Sequence, residues 1–94
     1  MRSKIAAGLP PASPDVRALL QDVRDRIIDL FGISADEATA RIAAAFARVD
    51  LRHPWNERYL CSEDADSWAK TVVYGFDVDW WRIGAHEIPP WPPQ

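Results

Sequence analysis

Nucleophilic chemistry in this chain would have to run through Cys61, its single cysteine, with His53 or His86 as the base. A thiol just ahead of a helix start has its thiolate favoured by the helix end, and Cys61 stands before a predicted helix. Residue types alone make no motif, however, and a small free cysteine reads first as a core residue. Zinc chemistry would draw on His53, Cys61, His86 and an acid such as Asp77 or Asp79. The close ligand pairs that announce such sites, CxxC or a helical HxxxH, are not in the chain. Fourteen acidic residues supply many carboxylate pairs by chance, and four glycines build no phosphate loop. The sequence therefore assigns no catalytic residue, no metal ligand and no cofactor, and the reading is of a protein that is not an enzyme.

Recognition chemistry is better represented. Glu63, Asp64, Asp66, Asp77 and Asp79 bring acid to the neighbourhood of Trp80-Trp81. Together they read as an acidic, aromatic surface for a basic partner, because complementary charge speeds encounter and tryptophans anchor interfaces. The same residues also suit an acid-rich first helical turn and a core Trp pair flanked by solvated aspartates. The run Pro89-Pro90-Trp91-Pro92-Pro93 is polyproline-like and suits an aromatic groove on a partner. Docking of Trp91 on the chain's own body is the expectation, since a small domain gains from one more large aromatic. The candidate partner-binding set is thus Glu63, Asp64, Asp66, Asp77, Asp79, Trp80, Trp81 and Trp91. Two alternatives use other residues. One is a small-ligand pocket or enzyme site walled by His53, Trp55, Tyr59 and Trp68. The other is a weak nucleic-acid contact through Arg17, Arg24, Arg41 and Arg48.

The elements that position these groups follow from periodicity and caps. Ser13-Pro14-Asp15 offers a capping hydroxyl, a proline at the first helical position and an acid at the positive helix end. Val16, Leu19, Leu20, Val23, Ile27 and Leu30 or Phe31 then form one apolar stripe, with Asp22 and Arg26 spaced for an ion pair. Gly32 closes the helix, and Ser34 with Glu37 forms a capping box for a second helix running to about Val49. Ala38, Ile42, Ala45, Phe46 and Val49 should face inward, and further alanines thin its surface. His53-Pro54 is expected to stop any helix, leaving Asp50 to Cys61 as an ordered connector. Ser62 is the candidate cap of a third helix ending at Gly75. The expected fold is mainly α, a compact bundle of three principal helices at 14–31, 35–49 and 62–74 with an aromatic, proline-rich C-terminal segment. The alternative is α+β with a short hairpin of Arg58 to Leu60 and Trp80 to Ile83. Residues 1–12 read as a flexible arm, 13–83 as one domain and 84–94 as an extended tail.

Whole-chain arithmetic sets the class. Ninety-four residues, 48% of them hydrophobic, make one globular domain. A chain of this size buries only about 60–65% of its unfolded surface, so large side chains must fill the core, and five tryptophans suit that need. No apolar stretch approaches the roughly 20 residues that span a bilayer, and Met1 to Pro10 lacks the apolar centre of a secretory signal, which makes the cytoplasm the expected address. Net charge is −3, and residues 50–94 hold eight acids against four bases. No cluster of Lys and Arg marks a phosphate-binding face, so nucleic acid is not the expected partner.

Leu30-Phe31-Gly32-Ile33-Ser34-Ala35-Asp36-Glu37-Ala38, followed by Trp68-Ala69, Tyr74-Gly75 and Trp80-Trp81, resembles a group of small bacterial proteins. In them an FGIS-x-x-EA helical hairpin precedes a W-A helix. The resemblance spans about residues 15–82 and implies a helical fold without catalytic residues. The functional expectation is a small interaction protein, an inhibitor, immunity-type or accessory factor that occupies a surface of a larger protein. Self-association is left open.

Overall fold

The computed structural model describes residues 8–76 and 88–91. Among them are four helices and no strand: α1 Pro14–Phe31, α2 Ala35–Ala45, α3 Pro54–Leu60 and α4 Ala65–Tyr74. The mainly α architecture is as expected, with a fourth helix where the sequence suggested a connector. Arg58 to Leu60, half of the alternative hairpin, is helical. Its other half, Trp80 to Ile83, lies outside the described residues.

Helix α1 begins as its residues dictate. Ser13 is the N-cap, its hydroxyl accepting from the Val16 amide, and Pro14 holds the first turn where no amide partner is required. Val16, Leu20, Val23 and Ile27 are fully buried, whereas Leu30 at the end of the stripe is exposed and Phe31 packs instead. Gly32 ends the helix at φ 67°, its amide donating to the Ile28 carbonyl. Ser34 caps α2 through the Glu37 amide at 3.1 Å. The reciprocal half of the capping box is missing, because the Glu37 carboxylate is turned onto Arg41.

Helix α2 stops at Ala45, four residues before Val49. Residues 46–49 turn, with the Val49 amide donating to the Phe46 carbonyl at 3.1 Å. The turn brings Leu51 into the core, while Val49 is left exposed. Burial of Leu51 thus overrides a stretch with no local helix breaker.

His53 and Pro54 start a helix rather than stopping one. Proline at the first helical position loses no hydrogen bond, and the His53 ring nitrogen Nδ1 accepts from the Trp55 amide at 3.1 Å as the N-cap. Helix α4 is capped by Asp64, which accepts from the Ser67 amide at 2.8 Å. Ser62 instead sends its hydroxyl back to the Tyr59 carbonyl at 2.6 Å, at the end of α3.

Helix α1 is the centre of the molecule. It packs chiefly on α4, next on α2, and least on α3. The core joins its stripe to Ala38, Ile42, Phe46, Leu51, Leu60, Trp68, Ala69, Val72 and Val73. Ala12 is buried with them and Leu9 packs against them, so packed chain begins ahead of Ser13. Asp22 does not hold Arg26. The Arg26 guanidinium reaches across to Asp66 of α4 and, at 3.7 Å, to Asp29.

Candidate interaction surface

Among the described residues, the two most exposed aromatics belong to α3. Trp55 is 67% exposed and Tyr59 58%, and their spacing of one helical turn places them on one face. The opposite side of the helix is held down: Leu60 is buried, the Asn56 amide donates to the Asp50 carbonyl, and Glu57 accepts from the Ser13 hydroxyl at 2.8 Å. Tyr59 leans edge-on against Trp68 with ring centroids 5.7 Å apart. Phe76, also exposed, approaches Trp68 from Gly75 at the end of α4, at 6.3 Å.

Trp68 belongs to the core. It is 4% exposed, meets Phe46 at 5.7 Å, and its indole donates to the Leu60 carbonyl at 2.7 Å. That carbonyl lies in the last turn of α3, where the Glu63 amide reaches it only at 3.4 Å, and the indole supplies the shorter hydrogen bond. Trp68 is thus buried, whereas His53, Trp55 and Tyr59 are exposed.

The acidic residues divide. Glu63 is exposed in the α3–α4 turn. Asp64 is exposed too but engaged as a cap, and hydrogen bonds from the Ser67 backbone and then its side chain hold its carboxyl below the ordinary range. Asp66 is half-buried and answered by Arg26, whose own pKa is raised, first by that hydrogen bond and then by the Asp66 charge. Asp77, Asp79, Trp80 and Trp81 lie outside the described residues, as does His86.

Trp91 is half-buried and docked on the body. The Arg41 guanidinium lies over its ring, 5.3 Å from the centroid, and donates through Nη2 to the Pro89 carbonyl at 2.8 Å. Nε and Nη2 of the same side chain each sit 2.9 Å from Glu37 Oε2. Arg41 is therefore 5% exposed, and the α2 face that was to offer it to a phosphate is taken. Arg17 and Arg24 line an open cleft of about 390 Å³ on α1 with Leu9, Pro11 and Gln21, and Arg48 is exposed in the turn after α2.

Cys61 is not a core residue. It is exposed and forms the C-cap of α3, not the approach to a helix start. Desolvation, then the charges of Asp15 and Glu57, push its thiol up from the ordinary value. Among the described residues no three His, Cys, Asp or Glu side chains gather as they would around a metal ion.

Sequence reasoning missed Trp55 and Tyr59 as surface residues and Arg41 as the residue that receives the tail. The first signal was Pro54 as a helix start, which fixes the phase of α3. Compared with protein families, curated proteins and solved structures, the chain matches none.

Proposed function

We propose that this protein is a small non-catalytic interaction module that occupies a surface of a larger protein, in the manner of an inhibitor, immunity-type or accessory factor. The observation that carries this reading is the aromatic pair of α3, with Trp55 67% and Tyr59 58% exposed on a helix whose other face is tied to the core. Large aromatics presented on a fixed element are what interface hot spots use, because little side-chain freedom is lost on docking. Glu63 and Asp64, exposed in the turn that follows, supply the acidic rim, which favours a partner with basic residues around an apolar recess. Asp66 drops out of that rim because Arg26 neutralises it. Asp77, Asp79, Trp80 and Trp81 extend the surface in this proposal. No helix of the described residues is long and apolar enough to cross a membrane, and the proposed setting is the cytoplasm.

The test is affinity capture from a lysate of the source cells, with wild type beside Trp55→Ala/Tyr59→Ala and Trp80→Ala/Trp81→Ala. Wild type should retain one protein in stoichiometric amount. The α3 variant should keep its helical circular dichroism and bind at least about 30-fold more weakly, as loss of a hot spot does. Undiminished binding by a folded α3 variant would sink the proposal.

A further inference from the structure

We propose that Arg41 is the centre of a recognition site for an extended Pro-Pro-Trp segment, and that the tail of a second copy of this chain can fill it in place of the chain's own. Arginine is almost never buried without a partner, and here burial to 5% exposure is matched by three contacts of different kinds. Glu37 neutralises the charge and, by taking both Nε and Nη2, fixes the plane of the guanidinium. Nη2 then donates to Pro89, and the flat face of the group lies over the Trp91 ring.

The two halves match chemically. A polyproline-like segment leaves its carbonyls without internal partners, so the Pro89 oxygen is free to accept. Guanidinium carries only donors at its edge and a cationic face above, so one group serves a carbonyl and an indole two residues apart, as a lysine ammonium cannot. Glu37 sits one turn before Arg41 on α2, so the same helix holds both the guanidinium and the carboxylate that orients it. None of these contacts requires the tail to belong to the same chain. Every copy carries both the site and its ligand, and tethering raises the local concentration of the chain's own tail to the millimolar range, so the intramolecular contact prevails in dilute solution.

The experiment uses the labelled full-length Trp91→Ala chain, which keeps Arg41 and Glu37 but offers no ring. A synthetic peptide with the sequence of residues 87–94 is titrated in, and the Arg41 Nε–H resonance is followed. The expected result is a saturable shift with a midpoint at least about 10-fold lower than in wild type, where the native tail competes. A peptide with alanine at the tryptophan position should give no saturable shift, nor should the intact peptide shift the Ile42 backbone amide of Trp91→Ala/Arg41→Ala as it does that of Trp91→Ala. Unlabelled Arg41→Ala chain, with its tail intact, should then reproduce the shift. If Arg41→Ala loses its helical signal, Arg41→Lys takes its place. No saturable shift with the intact peptide, equal midpoints in wild type and Trp91→Ala, or an equal response to the alanine peptide would overturn the site. A response to the peptide with none to the Arg41→Ala chain would overturn the second copy as its source.

Discussion

An exposed thiol is usually taken for a reactive one, and Cys61 argues otherwise. Its place at the C-cap of α3 sets it at the negative end of the helix, and Asp15 and Glu57 add to the shielding that disfavours the thiolate. Alkylation by iodoacetamide, followed against pH, should therefore show a midpoint above that of cysteine in an unstructured peptide; an equal or lower midpoint would refute this. Asp64 shifts the other way. A carboxyl held below its unfolded value stabilises the fold above the ordinary carboxylate pKa of about 4, and loses that contribution as pH falls through the folded value. Thermal melts should show wild type above Asp64→Asn at pH 7, with the gap closing below about pH 4. A gap that persists in acid would assign the effect to the hydrogen bond alone. Neither role was legible beforehand, because each depends on where a helix begins or ends. Ser62 and Asp64 are both good caps, and only the choice between them turns the other into a loop residue.

At the scale of elements, α1 was legible because every local signal agrees: the Ser13 cap, Pro14, an apolar stripe and Gly32. Gly32 stands in the left-handed region with nothing within 4 Å of where a Cβ would project, so Gly32→Ala meets backbone strain without a clash. Urea unfolding should register a loss of about 1 kcal/mol, less for Gly32→Asn. The end of α2 had no such signal. Its stop is imposed from outside, by Leu51 taking its place in the core. Helix α3 was missed through the reverse error, because a proline that breaks a helix from within is well suited to begin one. That misreading carried the candidate site with it. Residue type alone does not say which way Trp55 and Tyr59 face, and only the phase of a helix starting at Pro54 turns them outward.

At the scale of the molecule, the core was legible residue by residue along α1 and α4, while its cross-connections were not. Arg26 chose Asp66 over Asp22, and Arg41 chose Pro89 and Trp91, partners whose distance in sequence leaves no local trace. The Glu37–Arg41 spacing was visible, and it marks the one end of that contact a reader could have found. Trp68 ties the core to α3 through its indole, so Trp68→Phe should leave the Leu60 carbonyl with only the longer bond from the Glu63 amide, at about 0.5–1.5 kcal/mol by chemical denaturation. Ile42→Ala, at a position with no exposed surface, should cost about 2–5 kcal/mol in the same assay. The dominance of the α1–α4 contact also has a meaning in time. On the ribosome α1 is made before α4, with Arg26 and Asp66 separated by 40 residues of synthesis. The nascent hairpin of α1 and α2 must wait with Val16, Leu20, Val23 and Ile27 only partly covered, which makes that interval the one in which a growing chain most needs protection from its neighbours.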